Sequence, residues 1–234
     1  MPRSRATLPQ RLFAAYSILV FLVFGMVTLI LNMFVPNLRM RRRIAGIFSR
    51  GFLRCARIPL TVQGLERLPR SPCVVVANHA SYIDGVIAVA ALPPDFAFVI
   101  KKEMVRVPLA GLLLRRLGSE FVDRFNRHEG ASDARRVMRL ASTGQSLVFF
   151  PEGTFDARRQ ISRFHGGAFA IAERSAMPVV AVAVHGTRDA MPPGGLMMYR
   201  RAIRFEILTV LEPEGARQRS RELIAAAVGE SLAP

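Results

Sequence analysis

From residue 60 onward, short apolar runs of strand length alternate with longer stretches of helical periodicity. The predicted strands are 61–62, 73–77, 96–100, 120–122, 146–150, 179–184 and 204–210, and the predicted helices are 82–92, 107–117, 128–142, 167–175 and 217–232. Strands that alternate with helices usually pair in parallel, because each helix crosses the sheet before the next strand begins. The pattern therefore predicts an α/β fold with a mostly parallel or mixed central sheet flanked by helices.

A long uncharged segment precedes this domain. Between Leu12 and Val35 the sequence has 24 consecutive positions without a charged residue. A helix of that length reaches about 36 Å, which exceeds the roughly 30 Å hydrocarbon core of a bilayer. We therefore expect an N-terminal membrane-associated helix that either spans the membrane or enters one leaflet and returns. A helix buried in the protein core is the alternative.

The arginines around this segment indicate its orientation. Four of them lie within residues 39–43, a heavier cluster than the one ahead of the segment. Positive charge concentrates on the cytoplasmic side of membrane helices. We expect a protein of the inner (cytoplasmic) membrane whose α/β domain faces the cytoplasm.

Residues 38–58 combine arginines with apolar residues at helical spacing. This predicts a basic helix in the membrane interface, and a linker helix packed on the domain is the alternative. The chain thus divides into a membrane helix plus interfacial helix at 1–59 and an α/β domain at 60–234. Residues 1–70 hold twelve arginines, no lysine and one glutamate, a net charge of +11, which indicates anionic membrane lipids as partners. Nucleic acid is not expected, since no basic aromatic sheet or helix-turn-helix pattern is evident.

One predicted strand ends at a pair of titratable residues. The run 73–77 leads into Asn78 and His79, and Asp84 follows five positions after the histidine. If a turn separates the strand from the next helix, Asp84 can hold one imidazole nitrogen and leave the other free to act as a base. The alternative to a catalytic role is a histidine that only forms a local cap or a hydrogen bond in the core.

Polar residues also follow three other strands. Glu152, Gly153 and Thr154 come after one strand, Lys101 after a second and Arg124 after a third. Each alone is typical of a solvated loop. Because ligands bind at the carboxyl ends of strands in α/β sheets, their recurrence there indicates a common site.

The ordered set of motifs resembles the lysophospholipid/glycerolipid acyltransferase family over roughly residues 60–212. The matching segments are Asn78-His79 with Asp84, Lys101-Lys102-Glu103, Phe121-Val122-Asp123-Arg124, Phe150-Pro151-Glu152-Gly153-Thr154 and Met177-Pro178-Val179-Val180. An N-terminal membrane-associated segment is also similar to bacterial members of the family.

This resemblance implies a membrane-bound O-acyltransferase. His79 would deprotonate the free hydroxyl of 1-acylglycerol-3-phosphate, and Asp84 would orient the imidazole. The alkoxide would attack the thioester of acyl-CoA or acyl carrier protein and give phosphatidic acid. The resemblance implies no cofactor, no metal and no acyl-enzyme. It assigns Glu152, Gly153 and Thr154 to the acceptor site and makes Lys101 and Arg124 candidates for phosphate contact.

The sequence departs from the family pattern at three positions. The arginine that commonly follows Glu-Gly-Thr is Phe155 here, His165 replaces a later cation, and Ala181 replaces a second proline. The first departure opens an alternative acceptor, a lyso-ornithine lipid or another lysophospholipid. Arg158, Arg159 and Arg163 are candidates to replace the missing cation from the same loop. Arg188 follows a later strand and is a candidate to line the same cleft.

Two other functions remain open at this point. A histidine-based hydrolase would use water in place of the acceptor. A non-catalytic membrane-binding or nucleic-acid-binding protein is suggested only by the basic N-terminal part. His128 and His185 have no acid at a comparable local spacing and are expected to be surface or core residues.

Overall fold

The computed structural model describes residues 7–123 and 127–233. Its strands are β1 (Leu60–Gln63), β2 (Val74–Ala77), β3 (Phe96–Lys101), β4 (Glu120–Val122), β5 (Ser146–Phe149), β6 (Gln160–Ile161), β7 (Val179–His185), β8 (Ile203–Leu211) and β9 (Ser231–Leu232). The helices are α1 (Leu8–Phe34), α2 (Leu38–Cys55), α3 (Asp84–Ala91), α4 (Ala110–Arg116), α5 (Arg127–Ser142), α6 (Gly167–Arg174), α7 (Thr187–Ala190) and α8 (Ala216–Val228).

Seven strands form one sheet in the order β1-β8-β7-β2-β5-β3-β4. Pairing is parallel from β7 through β4, whereas β8 runs antiparallel to β7 and parallel to β1. The predicted mostly parallel, mixed sheet is confirmed. Because these parallel strands run in the same direction, their carboxyl ends lie along one border of the sheet, which we call the carboxyl edge. It is formed by β2, β3, β4, β5 and β7.

Helices cover both faces of the sheet. Val75 and Ala77 of β2 pack on the side of α2 and α3, whereas Val74 and Val76 pack on the side of α5, α6 and α8. All four residues of β2 are buried. A strand buried on both faces has no polar position, which explains the continuous apolar run in the sequence.

Helix α2 packs on the α/β domain. Its Arg42 is buried and donates from Nε to the Leu117 carbonyl and from Nη2 to the Gln145 side chain. Arg50 donates from Nη1 to the Ala90 carbonyl. These bonds agree with the packed-helix alternative for 38–58, so only some of the arginines of α2 remain available to lipid head groups.

The last predicted helix is shorter than expected. It ends at Val228, because Gly229 adopts a left-handed conformation with φ of +68° that stops the helix. The chain then forms β9, which pairs with β6 in a small second sheet that local sequence patterns did not predict.

Candidate active site

Asn78 fixes the point at which the chain leaves β2. Its Nδ2 donates to the Val184 carbonyl at 2.9 Å, and its Oδ1 accepts from the Val184 N–H at 2.7 Å. The side chain thereby continues the β2–β7 ladder beyond its backbone pairs and satisfies both buried groups. His79 consequently starts from a fixed position on the carboxyl edge.

The predicted His79–Asp84 contact is present. His79 Nδ1 lies 2.9 Å from Asp84 Oδ2, which also accepts from the backbone N–H groups of Ala80 at 2.7 Å and Ser81 at 2.8 Å. Asp84 is fully buried at the start of α3, whereas the His79 side chain is 21% exposed. Because the carboxylate only accepts, Nδ1 carries the proton and Nε2 is left as the basic nitrogen.

Aromatic rings surround the imidazole. Phe150 stacks on it with ring centroids 4.7 Å apart, and Phe155 meets it edge-on at 4.5 Å. Tyr82 in turn contacts Phe155 at 4.8 Å. We call Tyr82, Phe150 and Phe155 the aromatic wall. An apolar wall lowers the local dielectric and strengthens the interaction of the imidazole with Asp84.

Glu152 ties His79 to the loop after β5. Its Oε1 accepts from the His79 N–H and its Oε2 from the Ser162 N–H, both at 2.7 Å. Burial raises the pKa of the Glu152 carboxyl, and these two hydrogen bonds oppose that shift. Gly153 has a φ of +78°, which favours glycine, and Thr154 is exposed beside it. A role of these residues in acceptor binding stays a prediction.

Of the two candidate cations for a phosphate, the structure describes Lys101. Lys101 forms an ion pair with Glu103 at 3.1 Å, at the carboxyl end of β3. Arg124 lies outside the described residues. A contact of either residue with a substrate phosphate therefore stays a prediction.

Arg158 and Arg188 are also paired with acidic side chains. Arg158 lies 2.6 Å from Asp156, and Arg188 lies 3.2 Å from Glu230. Arg159, another candidate replacement for the missing arginine, lies 2.6 Å from Asp189. A role of Arg163 in phosphate contact stays a prediction.

Several site features had no signal in the sequence. The aromatic wall depends on three-dimensional packing, and so does the bond of Glu152 to the His79 backbone. His185 also gains a carboxylate partner, Glu206, at 3.0 Å across the β7–β8 pair. Burial, and then the nearby Arg204 guanidinium, lower the pKa of His185. Among the side chains of residues 7–123 and 132–233, no three from His, Cys, Asp or Glu are grouped as metal coordination requires.

Part of the chain is similar to a family of known proteins. The family model described as Acyltransferase matches residues 59–185. The chloroplastic 1-acyl-sn-glycerol-3-phosphate acyltransferase BAT2 of Brassica napus is 35% identical over 135 residues, which cover 57% of this chain and 39% of that protein. The lyso-ornithine lipid O-acyltransferase of Pseudomonas aeruginosa is 36% identical over 142 residues, covering 59% of this chain and 52% of that protein. The match thus spans about half or less of these two relatives.

A solved structure shares the fold. The crystal structure of the 1-acyl-sn-glycerophosphate acyltransferase PlsC from Thermotoga maritima superposes with a TM-score of 0.79 and covers 94% of this chain and 95% of that one. The two sequences are 22% identical, so this likeness concerns the fold alone.

Proposed function

Because this chain belongs to the acyltransferase family, we propose that it transfers a fatty acyl group from a thioester to the free hydroxyl of a lyso-lipid. The observation that supports this most strongly is the His79–Asp84 pair, in which a buried carboxylate holds Nδ1 and leaves Nε2 as a base. The proposed donor is acyl-CoA or acyl carrier protein.

The proposed reaction is a direct transfer. Nε2 of His79 removes the proton of the acceptor hydroxyl as its oxygen attacks the thioester carbonyl, and Asp84 stabilises the imidazolium that forms. The tetrahedral intermediate collapses with cleavage of the carbon–sulfur bond. The leaving thiolate takes the proton back from His79, so that an ester and a free thiol are the products. No acyl group is attached to the protein at any step.

The leading acceptor is 1-acylglycerol-3-phosphate, which would give phosphatidic acid. Relatives such as BAT2 of Brassica napus are named as 1-acyl-sn-glycerol-3-phosphate acyltransferases, which supports this choice. In this proposal, Lys101 and Arg124 contact the phosphate, while Glu152, Gly153 and Thr154 shape the acceptor site.

A second acceptor class is favoured by Phe155. Its ring lies against His79 at the position where the family commonly places a phosphate-binding arginine, and Arg158 and Arg188 are paired with carboxylates. An uncharged contact at this position suits a lyso-lipid whose head group carries no phosphate there, such as a lyso-ornithine lipid. The relative from Pseudomonas aeruginosa named for that acceptor lends support.

An acceptor panel tests these proposals. The purified full chain is supplied with an acyl thioester and, in separate reactions, with 1-acylglycerol-3-phosphate, lyso-ornithine lipid and lysophosphatidylethanolamine. A kcat/KM highest for 1-acylglycerol-3-phosphate supports the first acceptor. A preference for lyso-ornithine lipid supports the second, and no ester with any of the three contradicts the proposed reaction.

Replacing Phe155 with arginine should shift acceptor preference toward phosphate. A guanidinium beside His79 offers charge-assisted, bidentate hydrogen bonds, so we expect kcat/KM for 1-acylglycerol-3-phosphate relative to lyso-ornithine lipid to rise about tenfold. Phe155→Leu is the matched control, because it removes the ring without adding charge. An unchanged ratio in Phe155→Arg would show that position 155 does not contact the head group.

We also propose how the protein meets the membrane. Helix α1 is long and apolar enough to cross a bilayer, but one face packs along α2. Tyr16 Oη donates to the Cys55 carbonyl, Phe21 packs on Phe52, and Arg116 donates to the Asn32 carbonyl at the other end of α1. A helix held along its length by a basic helix suits partial immersion in the cytoplasmic leaflet of the inner membrane rather than a full span.

The exposed apolar face of α1 should supply the membrane affinity. Leu19 and Leu22 are 61% and 59% exposed on it. Burial of a leucine in lipid contributes about 1.5–3 kcal/mol. The double variant Leu19→Glu, Leu22→Glu should therefore lower the affinity for phosphatidylcholine–phosphatidylglycerol vesicles, measured by co-sedimentation, by at least about 100-fold. Leu65→Glu, at an exposed apolar residue outside both N-terminal helices, is the control. Equal binding of both variants would contradict immersion of α1.

A further inference from the structure

We infer that residues 230–233 act as a clasp that positions the loop carrying Phe155 against His79, with Arg188 and Glu230 as its positioning residues. We call residues 153–162 the acceptor loop and residues 230–233 the clasp. The name of the loop rests on the proposed function, whereas the contacts described below do not depend on it.

The clasp pairs with the end of the acceptor loop. Strands β6 and β9 run parallel, with Ile161 opposite Leu232, and the Ala233 N–H donates to the Ile161 carbonyl at 2.9 Å. Arg221 of α8 donates from Nη2 to the same carbonyl at 3.0 Å and from Nε to the Ser162 carbonyl at 3.0 Å. The loop end is thus bound on one side by the clasp and on the other by the preceding helix.

Arg188 cross-links the clasp to the middle of the loop. Its Nε and Nη2 donate to the two carboxylate oxygens of Glu230 at 3.3 and 3.2 Å, and its Nη1 donates to the Asp156 carbonyl. Both charged side chains are only 12% exposed. A two-point pair removed from solvent is ordered far better than a surface pair such as Arg159–Asp189, whose side chains are 65% and 50% exposed.

The acceptor loop is linked to His79, the proposed base, through two sets of contacts. The Ser162 N–H donates to Glu152, whose other oxygen accepts from the His79 N–H. Asp156, bound by Arg188 through its carbonyl, follows Phe155 directly, and the Phe155 ring lies against the imidazole. Release of the clasp should therefore loosen Phe155 and the acceptor that lies against it. This assigns Arg188, a candidate to line the cleft, to loop positioning.

A single tryptophan gives a readout that does not require activity. The chain contains no tryptophan, so Phe155→Trp gives a single-tryptophan variant whose tryptophan lies on the acceptor loop. Adding Glu230→Gln should raise acrylamide quenching of this residue about twofold, because the guanidinium loses its charged partner and the loop opens more often. Adding Glu222→Gln is the control, since Glu222 is an exposed residue of α8 that accepts from Gln218. Equal quenching in the two backgrounds would overturn the inference.

Kinetics in the natural Phe155 background give the second readout. Glu230→Gln should raise KM for the lyso-lipid about tenfold while KM for the thioester donor changes less than about twofold, because disorder in the loop affects only acceptor positioning. Arg188→Met should raise KM for the lyso-lipid as Glu230→Gln does, and Arg188→Lys should raise it less than Arg188→Met. Thermal unfolding identifies any variant that has lost its fold. Parallel rises in both KM values, or none, would overturn the inference, whereas an inactive wild-type chain would instead contradict the proposed function.

Discussion

Replacing His79 with alanine is expected to lower kcat for acyl transfer by about 10⁴-fold, because the substitution removes the proposed base that accepts the hydroxyl proton. Glu152 also bonds to His79, but through the backbone N–H, and each of its two oxygens accepts from a backbone N–H group. The measurement is ester formation from a labelled acyl thioester by the purified full chain.

The same variant should keep its fold. Alanine retains the His79 N–H that donates to Glu152, and Asp84 keeps its two backbone donors, Ala80 and Ser81. The buried carboxylate is therefore still hydrogen-bonded, and we expect a loss of no more than about 1–2 kcal/mol in unfolding free energy. Near-wild-type activity in a folded His79→Ala protein would remove His79 as the base.

The chain offers a matched control for this substitution. His185 also lies at a strand end and is paired with a carboxylate, Glu206, at 3.0 Å. In His185→Ala, Glu206 keeps its ion pair with Arg204 at 3.3 Å. Activity should stay within about threefold of wild type, because removal of a pair outside the site changes only local packing.

Substitutions of Asp84 should separate its two contributions, which are the orientation of the His79 ring and the negative charge that stabilises the imidazolium. The three N–H donors converge on Oδ2, whereas Oδ1 has no hydrogen-bond partner among the described residues. Asparagine can place its carbonyl oxygen at the Oδ2 position and keep the proton on His79 Nδ1. The variant Asp84→Asn therefore loses the charge that stabilises the imidazolium but keeps the orientation of the ring, and we expect kcat to fall by about 10²–10³-fold.

Asp84→Ala removes both contributions. It should lower kcat by about 10⁴-fold and unfolding free energy by about 2–4 kcal/mol, because the N–H groups of Ala80 and Ser81 lose their buried acceptor. The comparison is made by single-turnover rates and denaturant unfolding of the two variants. Equal rates for Asp84→Asn and Asp84→Ala would show that the charge of Asp84 outweighs its hydrogen bonds.

The sheet was predictable because its strands are buried on both faces. A central strand such as β2 contains only apolar residues, and its β-branched run marks it in the sequence. The short β6–β9 pair was not predictable in this way. Two-residue strands carry no periodicity, and their pairing joins Gln160 to Ser231 across most of the second half of the domain.

The site was predictable only where it is local. His79 and Asp84 lie five residues apart on either side of one turn, so their contact follows from the predicted strand and helix bounds. The contact of Glu152 with the His79 backbone and the contacts of Arg188 join residues tens of positions apart, and they depend on sheet order and loop conformation. Sequence reasoning therefore offered Arg188 as a residue lining the substrate cleft, whereas the structure places Glu230 and the Asp156 carbonyl against its guanidinium.

The central proposal is that a lyso-lipid hydroxyl, deprotonated by His79, attacks the thioester directly. The most direct test measures free thiol and ester product in the same reaction, with and without lyso-lipid. We predict one ester for each thiol released, thiol release that depends on the lyso-lipid, and loss of both products in His79→Ala. Thiol released at the same rate without lyso-lipid, or equally in wild type and His79→Ala, would contradict the proposal.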